Sequence, residues 1–326
     1  MKFASLRCED PDGRLLVVSR DATRALDASM VAPNLLAALQ RWDQVATQLQ
    51  ALSDRLNDGC YPASFTFDAN ACGAPLPRSY QWCDASAFLQ HGRLMEQAFN
   101  TPPIPDFDTV PVMYQGASDD FLGARDAVPM PDEGLGIDFE GEFGVVLAAV
   151  PMGVAPDAAH ARIRLLVQIN DWSLRALGPR EMQSGFGFLQ AKPSTSFAPL
   201  AITPDELGDG WRDGRVQLNL EVHLNEAPFG RPHGGEMHFS FGQLIAHAAR
   251  TRKLSAGTVI GSGTVSNLAR EAGSACISER RVIEIIEGGA PRTPFMRFGD
   301  RVRMSATDGQ GRRPFGVIDQ RVVWAG

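Results

Sequence analysis

The 326-residue sequence has only five cysteines, an odd number, and none of them (Cys8, Cys60, Cys72, Cys83, Cys276) falls in a CxxC or zinc spacing. Zinc-ribbon and disulfide-framed classes are thereby disfavoured, and reduced thiols in a cytosolic protein are expected. The six histidines are scattered and form no HExxH, so any bound metal is expected to take oxygen ligands. No apolar run approaches the roughly 18–20 residues that a membrane span requires. Met1-Lys2-Phe3-Ala4-Ser5 is soon followed by Glu9, Asp10 and Asp12, so a signal-peptide core is not expected. Positive charge is in deficit: 31 Lys and Arg stand against 38 Asp and Glu, a net charge of −7, which argues against nucleic-acid binding by bulk charge. A GxGxxG after a strand, a GxxxxGK[ST] and a GxSxG are all missing, which leaves dinucleotide, P-loop and serine-hydrolase chemistry without support.

What is present is ordinary globular composition, 44% hydrophobic and 21% charged. At roughly 150 residues per domain the length suggests two domains, or one large domain with an appendage. Leu15–Val18 follows the turn Pro11-Asp12-Gly13 and reads as a strand. Pro33 opens a helical pattern in which Leu35, Leu39, Trp42, Leu49, Leu52 and Leu56 recur, closed by Asn57-Asp58-Gly59. Residues 59–80, rich in Pro, Gly, Ala and Ser, read as a linker with one strand at Ser64–Phe67, which places a boundary near residue 75. Beyond it, Val216, Leu218, Leu220, Val222 and Leu224 alternate with polar residues as in a half-buried strand, and Val302, Met304 and Ala306 do the same. Further strands are expected at 143–150, 258–262, 282–286 and 315–323, with helices at 84–98, 156–169 and 240–253. Strands outnumber helices without regular βαβ alternation, so the pattern predicts an α+β or mixed β-roll architecture.

The chemistry is concentrated in a few short segments. In Asp138-Phe139-Glu140-Gly141-Glu142-Phe143 an extended chain puts Glu140 and Glu142 on one face and the phenylalanines on the other. Two like charges at that spacing belong either to a solvated acidic edge or beside a hard divalent cation. Asp171, after the apolar 166–169 and before Trp172, is either a turn cap or a buried, partnered acid, and Arg175 could fork onto an anionic group. Asp84 and His91, seven residues apart, would lie along one face of a helix and reach one pocket, unless His91 is a surface or core histidine. Lys192 is either an oxyanion-stabilising ammonium or a solvated loop lysine. Gly261-Ser262-Gly263-Thr264 is either a tight turn or a cradle whose amides and hydroxyl grip a carboxylate or carbonyl.

Taken in order, D-x(6)-H at Asp84–His91, P-V-M-Y-Q-G at 111–116, D-F-E-G-E at 138–142, N-D-W-S-x-R at 170–175, K-P-S at 192–194 and G-S-G-T-V-S at 261–266 resemble the motif set of the fumarylacetoacetate hydrolase family. The likeness runs from about Pro75 onward, and residues 1–75 resemble, more loosely, the small amino-terminal domain of the shorter bacterial members. The resemblance implies an α+β fold, a mixed β-roll or barrel over residues 76–326, with a small α/β appendage over 1–75. It implies Mg²⁺ or Ca²⁺, with Mn²⁺ as a further option, held by Asp84, Glu140, Glu142 and Asp171. It makes His91 the general base, with Glu279 as the acid paired to it (Glu271 being a lesser alternative), and Lys192 a further catalytic group. Tyr114, Arg175, Lys192, Gly263 and Thr264 match residues lining the substrate pocket. The family's D-x-Y pattern departs here at Ser86, which bears on the substrate contact.

The activity so implied is hydrolysis of a carbon–carbon bond in a small anionic 1,3-dicarbonyl acid, first of all fumarylacetoacetate to fumarate and acetoacetate, a step of aromatic amino-acid catabolism. The alternatives are acylpyruvate (fumarylpyruvate) hydrolysis, or oxaloacetate decarboxylation or keto-acid hydration on the same site. A non-catalytic, metal-stabilised binding protein is the alternative of a different class. A cytoplasmic homodimer with no nucleic-acid or membrane partner is also implied.

Overall fold

Two strands buried on both faces fix the centre of the molecule. Gly141–Leu147 (GEFGVVL) is buried at all seven positions, and Ile163–Asn170 (IRLLVQIN) at all but Arg164. A run of apolar residues without alternation is what a strand covered on both sides requires. The two pair antiparallel, from Ile163↔Leu147 to Asn170↔Gly141. The structure, a computed structural model, describes residues 1–59, 61–99 and 102–326. Cys60 lies outside the described residues; Cys8, Cys72, Cys83 and Cys276 are free thiols.

Around this pair an 11-stranded sheet is built. On one side Ala201–Ile202 joins Ile163–Asn170 to Lys2–Leu6, and the sheet continues through Arg14–Val18, Arg24–Asp27 and Phe65–Thr66. On the other side come Val259–Gly261, Trp82–Ala85 and Met113–Gly116. A five-stranded sheet, in the order Ala227–Gly230, Asn219–Leu224, Arg301–Thr307, Ile318–Trp324, Val128–Met130, packs against it across a shared core. Buried Gln168 ties the layers together: its Nε2 donates to Met304 O at 3.2 Å, and Ala306 N donates to its Oε1 at 2.7 Å. A buried amide satisfied at both ends escapes the penalty of an orphaned polar group. The mixed α+β class agrees with the sequence pattern, but among the described residues the sheets stay open and form no closed barrel.

Several expected elements differ. Residues 84–98 are not one helix: Trp82–Ala85 is a strand, and the helix spans Leu89–Phe99. The helix-favouring alanines at 85 and 87 misled, because pairing on both edges of 82–85 overrides local propensity. The helix expected at 156–169 ends at His160, where the β-branched Ile163–Asn170 takes over. Residues 282–286, expected as a strand from Val and Ile, lie inside the helix Ile277–Gly288. The helical pattern after Pro33 divides into Leu35–Gln40, capped by Asn34, and Trp42–Asn57, with Arg41 out of helical geometry between them. The helix at Phe241–Ala248 starts from Ser240 in a full capping box with Gln243. Among the described residues no helix is long and apolar enough to cross a membrane.

Candidate active site

Four acids from distant parts of the chain converge. Asp84 lies on Trp82–Ala85, Glu142 on Gly141–Leu147, Glu140 just before that strand, and Asp171 just after Ile163–Asn170. One oxygen from each lies within 4.8 Å of the others, and all four residues are buried. The local folding follows from the strand pairing. Asp171 N donates to Glu140 O at 3.0 Å, and Glu140 N donates to Asn170 Oδ1 at 3.0 Å, so the two central strands end together. Glu140 and Glu142 share a face, as two-residue periodicity requires.

Glycines make room for Asp84. A Cβ on Gly261 would lie 2.3 Å from Asp84 Oδ1, and one on Gly263 would lie 2.2 Å from Ala85 O at a φ of +76°. The Gly263 amide donates to Asp84 Oδ1 at 3.0 Å. Gly263 thus joins the site through the Asp84 carboxylate.

The four acids divide by partner. Asp171 receives Lys192 Nζ and Tyr114 Oη on Oδ2, each at 2.6 Å, and Thr195 Oγ1 on Oδ1 at 2.7 Å. Glu140 receives Lys192 Nζ on Oε2 and Arg175 Nη2 on Oε1, both at 2.6 Å. Burial would raise Glu140, but the Lys192 and Arg175 cations hold it at about 2. Burial would lower Lys192, but Asp171 and Glu140 keep its ammonium above the ordinary lysine value. Glu142 is the opposite case: among the described residues neither of its fully buried oxygens has a hydrogen-bond partner. Burial and the charges of Asp84, Asp171 and Glu140 drive its carboxyl well above the usual carboxylate range. Burial, with the nearby Asp171 and Glu140, pushes Asp84 up to about 8. An orphaned buried carboxylate facing three others fits a hard divalent ion with oxygen ligands, the donor set of Mg²⁺, Ca²⁺ or Mn²⁺.

A second pair is built on helices. His91, in Leu89–Phe99, places Nδ1 2.8 Å from Glu279 Oε2 in Ile277–Gly288. Glu279 is buried and His91 is partly open, with side-chain exposures of 2% and 18%. Glu271, the lesser sequence alternative, is exposed on a short 3₁₀ turn.

Arg175 turns toward protein carboxylates. Its Nε reaches Asp138 Oδ2 at 2.8 Å while Nη2 holds Glu140, so both arms of the fork are taken by protein carboxylates. Tyr114 and Lys192 do join the acid cluster, and Thr264 is buried beside Gly263. Ser86 is half-buried, its amide bonded to Val112 O. Thr195, Asn170 and Asp138 were not singled out from sequence. Thr195 directly follows K-P-S, and Asp138 stands within D-F-E-G-E, but short polar residues there resemble ordinary turn chemistry.

A family model described as Fumarylacetoacetate (FAA) hydrolase C-terminal matches residues 81–323, and one described as Fumarylacetoacetase N-terminal domain 2 matches residues 1–78. An uncharacterized protein of Archaeoglobus fulgidus is 25% identical over 183 residues, 56% of this chain and 66% of the relative. For a second relative, from Burkholderia lata, the match spans 53% of its length at 26% identity over 47% of this chain. The chain thus spans only about half to two thirds of the curated relatives it matches. Among solved structures, maleylpyruvate hydrolase from Sphingobium sp. SYK-6 superposes with a TM-score of 0.67 at 15% identity, covering 99% of this chain and 100% of that one. A form of that enzyme in complex with manganese(II) ion and pyruvate gives 0.66 at 15% identity, with all of both chains covered. Fumarylacetoacetate hydrolase from Exiguobacterium antarcticum gives 0.65 at 16% identity, covering 99% of each chain. These likenesses establish a shared fold, and the match over residues 81–323 establishes kinship: the chain belongs to the fumarylacetoacetate hydrolase family.

Proposed function

We propose that this protein is a divalent-metal-dependent hydrolase that cleaves a carbon–carbon bond in a small anionic 1,3-dicarbonyl acid, of the fumarylacetoacetate or acylpyruvate class. The observation that carries the proposal is the convergence of Asp84, Glu140, Glu142 and Asp171, one of them with no hydrogen-bond partner among the described residues, in a chain that also holds a part-buried His–Glu pair. Asp84, Glu140, Glu142 and Asp171 would hold Mg²⁺, Ca²⁺ or Mn²⁺. Such an ion supplies Lewis acidity to the oxygens of a dicarbonyl substrate.

The residues of the chain supply the rest. Glu279 accepts a hydrogen bond from the Nδ1–H of His91 and so fixes the tautomer whose Nε2 can take a proton from water. The water oxygen bonds to the carbonyl carbon, and the adjacent carbon–carbon bond breaks. Its electron pair leaves as an enolate, which takes up a proton to become the ketone product. Lys192, kept cationic between Glu140 and Asp171, brings fixed positive charge to the oxyanion side. Tyr114, with Phe188 edge-on to its ring at 5.1 Å, would wall the substrate's side of the site. The His91–Glu279 pair favours hydrolysis over decarboxylation, because decarboxylation needs an electron sink and no water-activating base.

The acylpyruvate branch has its own support. A maleylpyruvate hydrolase of the same fold is known with manganese and pyruvate, and this chain carries Ser86 where the sequence pattern of fumarylacetoacetases has tyrosine. The test is a panel of fumarylacetoacetate, fumarylpyruvate, acetylpyruvate and oxaloacetate with Mg²⁺, with products identified. We expect cleavage of at least one dicarbonyl acid, lost on chelation and restored by Mg²⁺. Binding of these acids without turnover would make the chain a metal-stabilised binder instead.

A further inference from the structure

Asp138 is wholly buried at the end of Ile137–Asp138, opposite Ser173. Its carboxylate faces two ways. On one side Oδ2 accepts from Arg175 Nε at 2.8 Å, and the same guanidinium continues to Glu140 Oε1 at 2.6 Å. On the other, Oδ1 accepts from Ile277 N at 2.7 Å and Oδ2 from Ser278 N at 2.8 Å. Those are the first two amides of the helix Ile277–Gly288, and the helix's own N-cap leaves them unserved, since Cys276 Sγ takes Glu279 N at 3.2 Å. The next residue along is Glu279, whose carboxylate meets His91 Nδ1.

We infer that Asp138 is a positioning residue that locks the metal-facing carboxylates and the His91–Glu279 pair into one register, through Arg175 on one side and the first turn of the Glu279 helix on the other. This inference rests on the proposed roles of those two groups. Glu279 is one residue past the anchored Ser278 amide, so a shift of the anchor reaches its carboxylate undamped. A charged acceptor at a helix N-terminus is also favoured by the helix dipole, which strengthens the lock. The link spans only residues 138, 140, 175 and 277–279, with hydrogen bonds from Glu140 to the Ser278 amide and one peptide bond from there to Glu279.

The test is Asp138→Asn, which keeps the shape but turns one oxygen into a donor facing either Arg175 and Ser278 together or Ile277. The ring nitrogens of His91 are followed by NMR in ¹⁵N-histidine-labelled protein, the signal being assigned by its loss in His91→Ala. We expect the His91 signal to move in Asp138→Asn, both without metal and with Mg²⁺. We also expect kcat to fall roughly 10- to 100-fold with KM little changed, as for a misplaced catalytic group. The double variant Asp138→Asn/Glu279→Gln should fall no further than Glu279→Gln alone, the mark of residues acting through one another. An unmoved His91 signal, or losses that multiply in the double variant, would overturn the inference. If Asp138→Asn does not fold, Arg175→Lys decides by the same signal, since lysine keeps the charge but cannot span Asp138 and Glu140. The NMR arm needs no turnover. A shifted signal in a protein that cleaves none of the dicarbonyl acids would remove the proposed function and keep the link; an unmoved signal in an active enzyme would remove the link alone.

Discussion

The acid cluster and the His–Glu pair are built on different foundations. The cluster stands at the ends of strands in the middle of the large sheet, where all positions but Arg164 of the two central strands are buried and each strand has a neighbour on both sides. The pair stands on two helices, and His91 is partly open to solvent. The sheet can hold four like charges together because strand pairing fixes them against their repulsion. The helices can bring an imidazole to the rim, where water is available to be deprotonated. Within the cluster the same contrast recurs two residues apart: Glu140 is clamped by two cations, while Glu142 has no hydrogen-bond partner among the described residues.

The largest effect should come from breaking the sheet-borne half. Glu140→Ala should abolish tight divalent binding and turnover together, as read by Mn²⁺ titration and by assay. It also takes from Lys192 and Arg175 one of the two carboxylates that each holds, so a loss of stability of at most roughly 3–5 kcal/mol is expected. Retained metal affinity would remove Glu140 from the ligand set.

Next in size is His91→Ala, which should lower the rate roughly 10²- to 10⁴-fold and leave metal affinity unchanged. A drop in Mn²⁺ affinity there would mean that the two halves are not separable.

A smaller effect distinguishes the halves by pH. In chelator, Asp84 is raised from an ordinary 3.8 to about 8, and Glu142 is raised as well. The folded state then holds protons that the unfolded chain has released, so the contribution of these groups is greatest at acid pH. The melting temperature of the metal-free protein should fall as pH rises from about 4 to 8. The opposing shift of Glu140, down to about 2, acts only below that window. With saturating Mg²⁺ the trend should flatten or reverse, because metal binding expels those protons. The same downward slope with and without Mg²⁺ would separate these acids from the metal.

The smallest effect is a control outside both halves. Ser240→Ala removes the capping box of Phe241–Ala248 and should cost about 1 kcal/mol, with kcat unchanged.

The sheet-borne half was the more legible from sequence, and the reason is periodicity. Glu140 and Glu142 share a face because strand side chains alternate, and that follows from spacing alone. Local propensity puts Asp84 in a helix, since alanines at 85 and 87 outweigh a strand that exists only through its two neighbours. The α+β class was legible in the alternation at 216–224 and 302–306, whereas the openness of the sheets depends on long-range closure that no local pattern encodes. Glu279 was placed near His91 through family likeness; the helix that carries it was hidden by the β-branched run at 282–286. Asp138 and Thr195 are silent in the sequence because their partners lie far away in the chain, and nothing adjacent announces them.

The seam between Lys2–Leu6 and Ala201–Ile202 has a practical consequence. Trimming the chain to its larger family-matched segment would bare the backbone donors and acceptors of Ala201–Ile202, together with apolar surface now covered by Phe3, Leu15 and Val17. Raw borders of that kind recruit copies of themselves, so the shortened protein would be expected to clump on expression, with its chemistry untouched in principle and unreachable in practice.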